Sequence, residues 1–193
     1  RHRDPRSAGS QVRHDGALGE EEARVRLALD LAAAGKSVAL VSSGDAGIYA
    51  LATLVFELLD REDRADWRRV ALSVVPGISA MQAAAAKLGA PLGHDFCAIS
   101  LSDLLTPWEA IARRLKAAGD GDFVIALYNP RSARRSDHLA RARDILLASR
   151  SPETPVALAR NLDRDGESIT VTTLSSEERR VGNEYRSRWS QSP

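Results

Sequence analysis

Three short loops in this chain carry residue types from which a ligand site can be built. They read Ser42-Ser43-Gly44-Asp45-Ala46-Gly47-Ile48-Tyr49, Val75-Pro76-Gly77-Ile78-Ser79-Ala80 and Leu127-Tyr128-Asn129-Pro130-Arg131-Ser132, and each directly follows a β-branched apolar run. In an α/β protein such loops lie at the carboxyl ends of strands, where ligands bind in the crevice that the strand order opens. The glycines allow a close approach of backbone. Asp45 is a carboxylate that either accepts hydrogen bonds from a ligand or caps the helix that follows. Pro76-Gly77 also reads as a plain strand stop, and Ser79 as a helix N-cap. Tyr128 can stack on a ring, bond through its hydroxyl or fill a core. Arg131, Arg134 and Arg135 make the third loop basic.

The remaining reactive side chains are few. His94 titrates near neutrality and is either an acid-base group or a structural histidine. His138, beside Asp137, is expected to be exposed. Cys97 stands alone, so no disulfide forms within the chain, and it reads as a small buried residue. No His, Cys and Asp cluster has metal-ligand spacing. A phosphate-binding module built on the Gly44 loop would lack both a G-x-G-x-x-G run and a P-loop lysine. The net charge is +1, so no long-range field favours nucleic acid or a membrane surface. The longest apolar run, 48–59, contains Glu57 and falls short of the roughly 18 residues needed to span a bilayer.

The elements that must position these loops follow from periodicity. Residues 20–34 form an amphipathic helix, with Val25, Ala28, Leu29 and Ala32 on one face and Gly35 as a left-handed stop. Continuous apolar runs at 37–42 and 70–75 predict strands covered on both faces. Helices are expected at about 48–59 and 79–88. Gly89-Ala90-Pro91-Leu92-Gly93 interrupts both periodicities and is the expected domain boundary. Beyond it come a strand at 96–101 and a helix started by a Thr106, Pro107, Glu109 capping box and stopped at Gly119. A strand at 122–128, a helix at about 137–148 and strands at 155–160 and 167–173 complete the pattern. Strands alternating with helices argue for two α/β units.

The strings 42–49, 74–81, 88–108 and 126–132 resemble the tetrapyrrole (corrin/porphyrin) methylases. The block Leu88-Gly89-Ala90-Pro91-Leu92-Gly93-His94-Asp95-Phe96-Cys97-Ala98-Ile99-Ser100-Leu101-Ser102-Asp103-Leu104-Leu105-Thr106-Pro107-Trp108 is its most specific part. It is most similar to members that methylate C17 of precorrin-3B or cobalt-precorrin-3 and contract the ring in cobalamin biosynthesis. Methylation at C11 or C20, or a non-catalytic nucleotide-binding fragment, are the alternatives. The resemblance implies a two-domain α/β fold, each domain a sheet flanked by helices, with S-adenosylmethionine as methyl donor. It implies donor contacts from Gly44, Asp45, Ala46, Ile48, Ile78, Ser79, Leu127 and Tyr128. A precorrin bears many carboxylates, which Arg pairs bidentately, so Arg131, Asn129 and Arg160 are the expected substrate contacts. No catalytic acid or base is assigned, and no metal. The expected partner is a small tetrapyrrole, with no nucleic acid or membrane. These methylases are commonly dimers and cytoplasmic, so a cytoplasmic homodimer is expected.

The domain expectation is a polar segment at 1–19, an incomplete first domain at 20–90, an incomplete second at 91–175 and a non-native tail at 176–193. The resemblance places a strand with a Gly-Pro-Gly-Asp type turn ahead of the first helix, and this sequence has no such motif. Residues 177–189 resemble translated adapter sequence and are expected to pack poorly.

Overall fold

The computed structural model describes residues 12–16, 19–130 and 136–176. They belong to two compact units, Arg1–Gly77 and Ile78–Pro193.

In the first unit, helices α1 (Glu21–Ala33) and α2 (Leu51–Glu62) pack with a 3-10 turn at Trp67–Arg69. Val25 and Leu29, one helical turn apart, meet Leu58 and Trp67 in a core fringed by Leu51, Leu54 and Val55. The Trp67 indole N–H is satisfied by Asp30 at 2.9 Å, and the Arg64 guanidinium lies over the ring at 4.3 Å. Gly35 takes the expected left-handed conformation after α1, at φ +85. The apolar runs at 37–42 and 70–75 are not strands among the described residues. Their β-branched content keeps the chain out of helix, but a strand is completed by a neighbour's N–H and C=O groups, and no ladder joins either run. Their side chains remain open, with Val41 and Val75 about four-fifths exposed at 81% and 77%. The described part of this unit therefore shows helices and unpaired extended segments rather than the expected sheet.

The second unit contains α3 (Ala80–Lys87), a 3-10 turn at Pro91–Gly93, β1 (Phe96–Ser100), α4 (Trp108–Asp120), β2 (Val124–Tyr128), α5 (His138–Leu147), β3 (Pro155–Arg160) and β4 (Ser168–Thr173). β1 and β2 are parallel, with Ile99 opposite Leu127 and Ser100 opposite Tyr128, joined through α4 as a βαβ unit. Ile111, Leu115 and Ala118 on α4 pack with Ile99, Leu101 and Ala142 in the core. β3 and β4 form a separate antiparallel pair. The Gly89–Gly93 segment is a turn inside this unit, where Ala90 takes φ 62. The division between compact units falls earlier, after Gly77.

Two local expectations on α4 are corrected. Its N-cap is Pro107, in extended conformation, with no side-chain cap. Glu109 is thus the second helical residue, one position too early to close a capping box. Gly119 does not end the helix; it is buried within it, and Gly121 follows the last turn. A Cβ at Gly119 would meet Ser149 Oγ at 2.5 Å and Leu146 Cδ2 at 3.3 Å, so glycine here lets α4 press against the end of α5.

Candidate ligand loops and family membership

In the first unit, Asp45 joins two of the three loops. Its Oδ1 accepts from the Gly47 amide at 2.7 Å, closing a tight turn on its own loop. Its Oδ2 accepts from the Gly77 amide at 3.0 Å, in the loop that ends the 70–75 run. These two bonds, the Gly77 one foremost, hold the Asp45 carboxyl below the usual carboxylate range. Asp45 does not cap α2: that helix begins at Leu51, with Ala50 as an N-cap that has no side-chain bond. The intervening residues form a turn in which the Ile48 amide donates to the Asp45 carbonyl at 3.3 Å and Tyr49 sits at φ 51. The Ala46 carbonyl accepts from Ala52 at 2.9 Å, seating the loop on α2. Gly44 is exposed and left-handed at φ 76, while Ala46 and Ile48 are half-buried.

Gly77 is the residue that sequence reasoning undervalued. A Cβ at that position would fall far inside contact distance of the Gly44 carbonyl oxygen, with the Gly44 carbonyl carbon next at 3.2 Å and the Asp45 Cα at 3.5 Å. The glycine is a condition for the two backbones to meet. Its place after an apolar run was visible in the sequence; the backbone it approaches, 33 positions earlier, was not.

In the second unit, the first turn of α3 is tied to the end of β2. Ser79 is buried and forms a capping box: its hydroxyl accepts from the Gln82 amide at 3.3 Å, and its own amide donates to Gln82 Oε1 at 2.9 Å. The Tyr128 hydroxyl accepts from the Met81 amide at 3.0 Å, filling another of the free donors of that turn. Leu127 points the other way, onto the core with Ile125, as the two-residue alternation of a strand requires. A ligand contact at Leu127 would therefore fall on its main chain. Ile78 is 73% exposed. At the carboxyl edge of the parallel pair, Asn129 takes φ 52 and donates from Nδ2 to Ser100 Oγ at 3.0 Å.

Arg160 ends β3, half-buried, on the antiparallel pair. Arg131, with Arg134 and Arg135, lies outside the described residues. His94 is exposed. Burial pushes the Cys97 thiol above its ordinary pKa, which disfavours the thiolate a nucleophile needs. His138 is buried and not exposed: its ring Nδ1 lies 2.9 Å from the Leu101 carbonyl oxygen, and its centroid is 4.7 Å from that of Trp108. Its place as the first residue of α5, facing the β1 exit, depends on the α4–α5 packing and left no trace in local pattern. Among the described residues, no group of acidic, His or Cys side chains is arranged to hold a metal, and no helix is long and apolar enough to cross a membrane.

Glycine-bearing loops at 42–49 and 75–80, a parallel βαβ unit and a separate antiparallel pair characterise the chain. The family model of the tetrapyrrole (corrin/porphyrin) methylases matches residues 2–177, and the chain belongs to that family. Among its relatives, a "probable cobalt-factor III C(17)-methyltransferase" of Salmonella typhimurium is 54% identical over 151 residues, covering 78% of this chain and 61% of the relative. A precorrin-3B C(17)-methyltransferase of Sinorhizobium sp is 49% identical over 155 residues, covering 80% of this chain and 61% of the relative. The chain thus spans about three fifths of the length of both. The crystal structure of the methyltransferase CobJ matches with a TM-score of 0.76 at 43% identity, over 81% of this chain and 65% of that one.

Proposed function

We propose that the protein transfers a methyl group from S-adenosylmethionine to C17 of precorrin-3B, or of the cobalt-containing counterpart, with ring contraction in cobalamin biosynthesis. The observation that carries this reading is the identity of 54% and 49% to relatives named for C17 methylation, spread over most of the chain. The donor supplies an activated methyl on a sulfonium, so the protein's task is orientation and exclusion of water. Orientation alone contributes up to roughly 7–11 kcal/mol to such a step.

The loop residues suit that task. Gly44 and Ile78 leave main chain and apolar surface open, and the contact between Gly44 and Gly77 has no room for a side chain. The proposed donor contacts in the first unit are Gly44, Ala46 and Ile48, on the loop that also carries Asp45. Those in the second are Ile78, Ser79, the Leu127 main chain and Tyr128. Asn129, Arg131 and Arg160 are the proposed contacts to substrate carboxylates and amides. We place the protein in the cytoplasm, as a homodimer acting on a small tetrapyrrole.

The test is incubation with S-adenosylmethionine and a set of precorrins, with the site of methyl gain read by mass spectrometry and NMR. Methylation at C17 with a contracted ring is the expected result. Methylation at C11 or C20 would assign another member of the family. Binding of nucleotides without affinity for the sulfonium donor would overturn the methyltransferase reading.

A further inference from the structure

We propose that Asp45 serves the donor site as a positioning residue, by clamping the Gly77 loop onto its own, rather than as a group that touches the donor. The inference rests on the donor-binding reading of these loops.

Each oxygen of the Asp45 carboxylate is already engaged by a main-chain amide: Oδ1 by Gly47 at 2.7 Å and Oδ2 by Gly77 at 3.0 Å. The second bond joins segments 32 residues apart, and neither segment is held by a strand ladder among the described residues. Asp45 thus supplies the kind of cross-link that paired strands would supply. Gly77 is the other half of the clamp. Its amide is the donor, and its missing side chain is what lets the Gly44 carbonyl come close enough for the bond to form. An ionised carboxylate accepting two amides makes charge-assisted bonds, stronger than neutral ones. The benefit to a ligand is preorganisation: peptide groups of two loops are held in one arrangement before binding, so less ordering is charged against affinity.

The two roles for Asp45 separate in a double-mutant cycle. Binding of S-adenosylmethionine to this chain is measured by calorimetry for wild type, Asp45→Asn, Gly77→Ala and the double variant, with thermal midpoints recorded for each. The clamp predicts a loss of about tenfold in affinity for either single variant and no further loss in the double, because both remove the same bond. Losses that multiply in the double variant would mean that Asp45 meets the donor independently of Gly77, and would overturn the proposal.

NMR gives a readout that general loss of fold would not produce. In the donor-free wild type, the Gly47 and Gly77 amide proton shifts should titrate together with the Asp45 carboxyl; in Asp45→Asn both should be flat. A Gly77 amide that ignores the Asp45 titration also overturns the clamp, whatever the calorimetry shows. Wild type with no affinity for S-adenosylmethionine, but with the coupled titration intact, would instead overturn the donor-binding reading and with it the role proposed for the clamp.

Discussion

The Tyr128 hydroxyl accepts a hydrogen bond from the Met81 amide at 3.0 Å, so the last residue of β2 completes the N-terminal cap of α3. Ser79 and Gln82 satisfy their own amides reciprocally, and Tyr128 reaches one that they leave. The side chain read from sequence as a candidate for stacking is spent, at its polar end, on holding a helix terminus in place.

Tyr128→Phe keeps the ring and removes that acceptor. The Met81 amide is left to water or to nothing, which costs about 1 kcal/mol in net terms. The expected result is a lower urea midpoint with an unchanged m-value, and faster amide exchange at Met81. If Tyr128 also stacks on the donor, the phenylalanine variant should retain affinity for S-adenosylmethionine within about threefold, while Tyr128→Ala should lose more than tenfold.

The Asp45 clamp makes stability depend on pH in a known direction. Its amide bonds lower the folded-state pKa beneath the ordinary 3.8. The unfolded chain then takes up the proton first as pH falls, so the bonds stabilise the fold fully above the unfolded value. Their contribution disappears as pH drops through the folded one. The stability difference between wild type and Asp45→Asn should therefore be constant from neutrality to about pH 5 and shrink steadily below that. Urea titrations of both proteins at a series of pH values measure it directly. A difference that grows on acidification would contradict the assignment.

His138 ties the start of α5 to the exit of β1. Because the Leu101 carbonyl can only accept, His138 donates its Nδ1–H in this contact, and its Nε2 lies 3.6 Å from Asp103 Oδ2. His138→Ala leaves a buried carbonyl without its donor and a gap against Trp108, a combined cost of about 2–4 kcal/mol. His138→Asn, which can return an N–H to the same carbonyl, should recover about 1 kcal/mol of that. Chemical denaturation of the three proteins gives the ordering wild type, asparagine, alanine.

What the sequence disclosed follows from how local each cause is. The strand at Pro155–Arg160 and the cap at Ser79 were legible because an apolar run bounded by a turn, and a serine directly after Pro76-Gly77-Ile78, act within a few positions. The start of α4 misled, because threonine, proline and glutamate satisfy a capping pattern while the backbone begins the helix one residue later. The runs at 37–42 and 70–75 have strand composition, but pairing is a property of two segments, and composition reports only one. For the same reason Asp45 was visible as a carboxylate in a glycine loop while its Gly77 partner was not, and the burial of His138 could not be seen from its neighbours in sequence. The candidate site was legible as a set of loops; which side chains face a ligand and which hold the loops required coordinates.

Lys87 offers the last test, because it links the end of α3 to the turn between β3 and β4. Its ammonium reaches Glu167 at 2.8 Å and Asp163 at 2.9 Å, while the Asp163 amide donates to the same Glu167 carboxylate at 2.6 Å. Glu167, ahead of Asp163, raises the pKa of Lys87, and Lys87, ahead of the Asp163 amide, lowers that of Glu167. The lysine's contribution is complete below its unfolded pKa and lost as pH rises through the folded one. The glutamate's is complete above its unfolded pKa and lost as pH falls through the folded one. The link is therefore intact across the neutral range and released at both extremes. Exposed pairs of this kind are weak singly and screened by salt, so Lys87→Met should lower the urea midpoint slightly at low ionic strength and negligibly at 1 M salt, where the Debye length is about 3 Å. The local signature should be larger than the global one: amide exchange at Asp163 should accelerate in the variant, since the carboxylate it donates to loses the cation that holds it. Unchanged exchange there would mean that the turn keeps its own shape through Asn161, Asp163 and Gly166, whose left-handed backbones at φ 49, 58 and 76 already bend the chain.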